Sequence, residues 1–401
     1  MLQAIDKIQY LVGEFDGISH ASPLMPYDEL VCDFLSFLSG LLLADAEAKL
    51  YPDVIAFAYW CRKANITKLK QEFVEKHIRL GLGMTFHITP SNVPINFAFS
   101  FVFSLLAGNA NVVRVPTKDF PQTGIVCRVI KQLFENSRYE KIADMTIFVK
   151  YDQNDEITGF FSSMCNARII WGGDQAINNI RKLPIPERSI EVAFADRYSF
   201  CVINAYTVLQ ADNVAMAKLA NSFYNDTYLM DQNACSSPHL IVWLDQVNDL
   251  VTAKQKFWDS VYKTVASKYE IQAVQAVDKY TQLCRNAIDL KNVAKCENYG
   301  NYIYRMKLEV LPTDVYLLRG QYGYFYEYDT DDINKLSHVI CEKYQTLTYF
   351  GVDKDVLINF VLKNQLRGLD RIVPIGAALD IGVIWDGYDL VRTLSRICDI
   401  R

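Results

Sequence analysis

Five short, largely apolar runs separated by helix-length segments limit what this chain can become. They are Met84–Ile88, Asn111–Val115, Met145–Val149, Arg168–Trp171 and Phe200–Ile203. Turn formers follow several of them: Pro90, Pro116 and the pair Gly172-Gly173. The segment from Pro94 to Leu106 reads as a buried helix stopped by Gly108-Asn109, and 121–137 reads as another helix. Strand and helix alternating at this spacing predict a doubly wound parallel sheet. Residues 1–80 read as helical, up to the break at Gly81-Leu82-Gly83.

After residue 205 the pattern restarts. A helix is expected over 211–225, a strand over Leu240–Leu244 and an amphipathic helix over roughly 246–269. Strands are expected at 308–311, 314–318 and 346–350, with a helix over 331–344. A chain of 401 residues can bury two cores. The expected division is 1–205, 206–365 and a C-terminal segment 366–401.

Charge and composition exclude several classes. The net charge of −5, with Lys and Arg scattered, gives no field for nucleic acid. The apolar stretch from Val93 to Ala107 is shorter than the roughly 18–20 residues of a membrane span. Met1–Lys7 lacks the basic-then-apolar layout of a secretory leader, so a cytoplasmic protein is expected. The ten cysteines contain no C-x-x-C pair, and no His stands at zinc-finger spacing, so no metal is expected.

Two segments carry chemistry. Cys235 lies in Asp231-Gln232-Asn233-Ala234-Cys235-Ser236-Ser237-Pro238, directly before the run Leu240–Leu244. Most other cysteines sit among apolar neighbours, whereas this one enters a strand from an amide-rich loop. A thiol so placed suits covalent thioester chemistry. His239 reads as a structural histidine. The second segment is Thr89-Pro90-Ser91-Asn92-Val93-Pro94. Rigid flanks make Asn92 either an oxyanion donor or a helix cap. Gly172 and Gly173 allow a phosphate close to backbone N–H groups or simply turn the chain. Arg114, Thr117 and Lys118 form either a dinucleotide ribose and phosphate site or a solvated basic edge.

Taken in order, these segments resemble the aldehyde dehydrogenase superfamily, and within it the LuxC-type acyl-CoA reductases, the fatty-acid reductases of bioluminescence operons. Pro90–Pro94 is similar to the superfamily's P-W-N-[YF]-P turn, and Leu105–Asn109 through Thr117 to its L-A-A-G-N…V-V-x-K-P-S stretch. Trp171–Ala176, Gln232–Pro238, Gly368–Gly376 and Trp385-Asp386-Gly387 look specifically reductase-like, with Trp385 where the family commonly has His. The resemblance implies an α/β protein with two Rossmann-like domains and the active site between them. It implies Cys235 as nucleophile and Asn92 as oxyanion donor. NADP is expected along Ile88, Thr89, Pro90, Ser91, Arg114, Thr117, Lys118, Gly172 and Gly173.

The family's E-L-G-G segment, whose Glu activates water, has no clear counterpart near Glu191–Phe194. That departure fits reduction of an acyl-CoA or acyl-adenylate to an aldehyde rather than oxidation. Lys118, where NAD-specific members carry Glu, fits NADP. The resemblance also implies an acyl-adenylating synthetase as partner and a homo-oligomer. Two other readings stay open: an NAD(P)-dependent aldehyde dehydrogenase, and an acyl-holding subunit without redox turnover.

Overall fold

The computed structural model describes residues 7–18, 21–91, 93–244 and 249–401. The chain forms two compact units. One comprises residues 1–195 with 388–401, the other 196–387. The change of unit thus comes before residue 205, and only the last part of 366–401 returns to the first unit.

In the first unit the expected runs become β2 (Met84–Ile88), β3 (Ala110–Arg114), β4 (Thr146–Lys150) and β5 (Ala167–Trp171). They join β1 (Gln9–Val12) and β6 (Ile190–Phe194) in the order β1-β4-β3-β2-β5-β6. All neighbours are parallel except β1, which runs antiparallel to β4. The edge strand β1 corrects the all-helical reading of residues 1–80, as does the strand Ile78–Gly81. The latter pairs with Ser395–Cys398 and so ties the C-terminus to this unit.

The largely apolar helix Asn96–Leu106 is buried because both sheet and flanking helices cover it. Phe97 and Phe101 meet Phe148 of β4 edge-on at 5.6 and 5.0 Å. Gly108 ends the helix at φ +91°, and a Cβ there would lie 2.2 Å from the Leu24 carbonyl oxygen, so only glycine fits.

The second unit holds β7 (Tyr198–Asn204), β8 (Pro238–Leu244), β9 (Val293–Tyr299), β10 (Ile303–Leu308), β11 (Tyr324–Thr330), β12 (Tyr344–Phe350) and β13 (Arg371–Pro374). Their order is β9-β10-β11-β8-β7-β12-β13, parallel except for the edge pair β9 and β10. The run at 200–203 therefore belongs to this sheet, as β7.

Two expected elements are absent. Residues 314–318 form a short 3₁₀ turn, because the Val315, Leu317 and Leu318 N–H groups bond to carbonyls three residues back. Over 331–344 only Ile333–Leu336 is helical, again 3₁₀. Ile333, Leu336, Val339 and Ile340 are buried at helical spacing, yet the turn is not propagated. Of the expected strand at 308–311 only Leu308 belongs to β10, and 309–311 lead out of it without strand pairing. The helix expected from 246 is seen over Leu250–Lys268, and 246–248 lie outside the described residues.

One side of this sheet buries a charge. The Glu327 carboxylate accepts from the indoles of Trp243 and Trp258 at 2.9 and 2.8 Å, and Arg305 lies 3.9 Å away. Removing one partner of a buried pair leaves the other uncompensated. The Glu327→Ala variant is expected to lose about 3 kcal/mol of stability, read as a lower urea midpoint. An unchanged midpoint would show that Glu297, which also pairs with Arg305, holds the guanidinium unaided.

Candidate active site

Cys235 stands at the amino end of β8, next to the centre of the second sheet. The loop that delivers it is tightly held. Asp231 and Gln232 both adopt left-handed backbone, at φ +52° and +63°. For side-chain-bearing residues this costs on the order of 1–2 kcal/mol each. Gln232 offsets it from a buried position. Its amide nitrogen donates to the carbonyls of Pro238 and Tyr324 at 3.0 and 3.1 Å, and its oxygen accepts from the Gly323 N–H at 3.2 Å. The Ser199 hydroxyl, which accepts from the Thr346 N–H, donates to the Cys235 carbonyl at 2.6 Å. Ser237 N–H closes back on the Ala234 carbonyl at 2.9 Å, turning the chain around the cysteine.

The thiol keeps some surface, and its electrostatics are mixed. Burial pushes the Cys235 thiol above its ordinary range; the Arg197 backbone hydrogen bond pulls it back, as does Arg319, while Asp196 and Asp386 push it up. Arg197 is therefore the residue the motifs missed. Its guanidinium is fixed by Asp386 at 2.8 Å, by the Tyr344 carbonyl at 2.6 Å and by Asp370. Gln345 donates to the same Asp386 oxygen at 3.0 Å. The Trp385-Asp386-Gly387 segment thus has a physical role. Asp386 at φ +52° and Gly387 at +82° make the tight turn that aims a buried carboxylate at Arg197. Trp385 lies under the Arg371 guanidinium at 5.0 Å.

His239 is no base for this thiol. Its ring is buried, stacked on Tyr198 at 5.4 Å and bonded to Gly320, and burial holds it near pKa 3. Glu191 is no free base either: Arg168 holds it at 2.5 Å and Arg181 at 2.7 Å.

In the first unit the other expected residues converge on one edge. Because β3, β2 and β5 are adjacent and parallel, their carboxyl ends bring Arg114 with Thr117 and Lys118, Ile88 with Thr89, Pro90 and Ser91, and Gly172 with Gly173 to the same side. Chain order reverses between β2 and β5, the place where open parallel sheets take ligands. Asn92 lies outside the described residues.

Three observations test whether these residues fit a dinucleotide. A Cβ on Gly173 would meet nothing within 4 Å, and one on Gly172 only Ala176 at 3.5 Å. Neither internal packing nor positive φ requires glycine there, which leaves room for a ligand's close approach. Arg114 stacks over Tyr151 at 4.6 Å, and its Nε is buried without a partner. Lys118 is exposed, and its ammonium faces the Phe120 ring at 5.3 Å with no carboxylate paired to it among the described residues. The Thr89 hydroxyl, in contrast, is spent on the Arg114 carbonyl at 2.7 Å and braces the edge. The residues fit an anionic dinucleotide.

Beneath the edge, His87 is a structural relay. Asn111 gives its N–H₂ to the Asn109 carbonyl, so its oxygen must accept from His87 Nε2 at 3.0 Å. His87 Nδ1 then accepts from the Ser100 hydroxyl at 2.8 Å, and Ser100 accepts from Trp171 at 3.0 Å. Burial holds His87 neutral, near pKa 4.

Comparison with known proteins follows the same lines. The model of the family described as acyl-CoA reductase (LuxC) matches residues 66–397. No curated protein matches significantly by sequence. Among solved structures, a NAD-dependent benzaldehyde dehydrogenase from Corynebacterium glutamicum superposes with TM-score 0.62 at 12% identity, covering 98% of this chain and 94% of that one. A 1-pyrroline-5-carboxylate dehydrogenase variant from Thermus thermophilus gives 0.62 at 12% identity, covering 97% and 84%. The 1-pyrroline-5-carboxylate dehydrogenase from Thermus with bound NAD gives 0.58 at 12% identity, covering 92% and 80%. At such identities the likeness concerns the fold, which is that of the aldehyde dehydrogenases. Among the described residues no helix is long and apolar enough to cross a membrane.

The electrostatics of Cys235 predict a slow thiol. Its alkylation by iodoacetamide, followed by peptide mass spectrometry, is expected to keep rising with pH beyond the ordinary thiol range of about 8.5. A rate that levels off near or below that value would contradict the dominance of burial.

Proposed function

The chain belongs to the acyl-CoA reductase (LuxC) family, and from that premise we propose that it reduces an activated acyl group to an aldehyde through a thioester on Cys235. The donor is an acyl-CoA or an acyl-adenylate, and the reductant is NADPH. The observation that carries this reading is Cys235 itself, a partly exposed residue on a rigid loop at a strand end, with a backbone N–H hydrogen-bonded to its thiol and with His239 and Glu191 both engaged elsewhere.

In the first step the Cys235 sulfur attacks the acyl carbon and the donor's leaving group departs. With a thioester donor, the proton lost by Cys235 ends on the departing thiol, so the exchange needs no net base. That suits a thiol whose own pKa is raised. The Cys235 backbone N–H and Asn92 stabilise the oxyanion, each donor contributing roughly 10²–10³ in rate. Arg114, Thr117, Lys118 and the Gly172-Gly173 turn would hold the reduced nicotinamide dinucleotide, which when bound would supply the hydride that the acyl carbon needs. The resulting thiohemiacetal on Cys235 then breaks its C–S bond, releasing aldehyde, and the sulfur recovers a proton.

The engagement of Glu191 by two arginines supports reduction over oxidation, because hydrolysis of the thioester needs an activated water. Lys118 supports NADP, since an unpaired cation attracts a 2′-phosphate. An upstream acyl-adenylating synthetase and self-association into a homo-oligomer belong to the same reading.

With a radiolabelled acyl donor and no cofactor, the parent protein is expected to retain label and Cys235→Ala to lose it; equal labelling of both would end the proposal. Lys118→Glu is expected to lower kcat/KM for NADPH roughly tenfold while NADH is used no worse. Equal losses with both cofactors would remove Lys118 from 2′-phosphate recognition.

A further inference from the structure

A polar pocket of about 360 Å³ opens in the second unit between the helix Ala273–Asp289 and the turn Arg319–Tyr322. Lys279, Gln282, Arg285, Arg319, Gln321 and Tyr322 are among its lining residues. Three of these are cations against a single carboxylate in the lining, Asp278. We propose that this pocket binds the phosphate-bearing part of the acyl donor, and the assignment rests on the acyl transfer to Cys235 argued above.

The cations differ in how they are held. Lys279 is buried and donates to the carbonyls of Asn301 and, at 3.2 Å, Tyr302. Its ammonium also faces the Tyr304 ring at 5.3 Å. Burial draws this lysine down to about 7, and an anion in the pocket would restore its charge. Arg319 is fixed by Asp196 at 2.9 Å and by the Arg197 carbonyl at 2.9 Å. Arg285 is exposed and has no carboxylate partner among the described residues. A guanidinium of that kind pairs readily with phosphate oxygens.

The pocket adjoins the cysteine loop through its own wall. Gln321 donates to the Asn233 side chain at 2.8 Å, and the Tyr322 N–H to the Asp231 carbonyl at 3.3 Å. Arg319 is also one of the charges felt by the Cys235 thiol. A donor anchored here by phosphate thus lies beside the loop that carries the nucleophile, and none of the anchoring groups is needed for the bond changes at sulfur. The shared chemistry is a phosphate, carried either by the diphosphate of CoA or by the phosphoryl group of an acyl-adenylate.

The test uses Arg285→Glu and Arg285→Lys in the full-length protein, with an acyl-CoA, the matching acyl-adenylate and the matching N-acetylcysteamine thioester, which has no phosphate. Arg285→Glu is expected to raise KM for a phosphate-bearing donor about tenfold, equivalent to 1.4 kcal/mol, with kcat within twofold. Arg285→Lys should restore most of it, and the phosphate-free thioester should be unaffected. Whichever donor responds names the source of the phosphate. If all three donors change together, or none changes, the pocket is not a phosphate site. Acyl labelling of Cys235 by the phosphate-free thioester separates the two levels. If the label forms but KM is unmoved, the pocket assignment falls and the cysteine chemistry stands. If no donor labels Cys235, both fall.

Discussion

A reactive side chain at the end of a strand is useful only if the loop entering that strand cannot wander. Here the constraint is met by one buried amide. Gln232 spans from Pro238 to Tyr324 and Gly323, stitching the start of β8 to the start of β11. The left-handed backbone at Asp231 and Gln232 persists because those bonds, together with the Ser199 hydroxyl on the Cys235 carbonyl, over-determine it. Nearly every other feature of the second unit's site depends on this. The Arg197 N–H can meet the thiol only because the thiol's own loop is fixed. Arg197 in turn is held by a carboxylate whose turn needs Asp386 and Gly387 at positive φ.

The two sheets use opposite ends of their strands. In the first, the carboxyl ends of β3, β2 and β5 gather a buried unpaired guanidinium nitrogen, an ammonium with no carboxylate partner among the described residues, and two glycines of which Gly173 has open space around it. That is the end where a parallel sheet reverses its winding and accepts ligands. In the second, the amino ends of β7, β8, β11 and β12 gather Arg197, Cys235, Gln321 and Gln345. The raised thiol pKa then has a simple meaning. The resting sulfur is protonated and guarded against stray alkylation or oxidation, and in the proposed exchange the departing thiol takes over its proton.

Much of this was legible in the sequence because the signals are local. The apolar runs that became β2–β5, the glycine at Gly108 and the amide-rich approach to Cys235 each depend on a few neighbouring residues. The parallel order that brings Arg114, Thr89 and Gly172 to one edge followed from strand and helix alternation. What could not be read is non-local. No local pattern pairs Arg197 with Asp386, or Gln232 with the chain at 323–324. The strand Tyr324–Thr330 is rich in tyrosine and interrupted by charge, because Glu327 is satisfied by two tryptophans far away in sequence. Conversely, 314–318 has strand-like composition but satisfies its backbone in a turn, and 331–344 has helical spacing without a helix. In both, local hydrogen bonds beginning at Pro312 and Asp332 won over side-chain pattern.

The central claim is that one sulfur carries the acyl group between donor and hydride. A single-turnover experiment reaches it most directly. Protein is first loaded with acyl donor and freed of excess; NADPH is then added, and the intact mass, absorbance at the nicotinamide band and aldehyde are followed together. The account predicts that the acyl mass on the Cys235 peptide disappears in step with NADPH, yielding one aldehyde for each. Aldehyde formed while the acyl mass on Cys235 stays constant would contradict it.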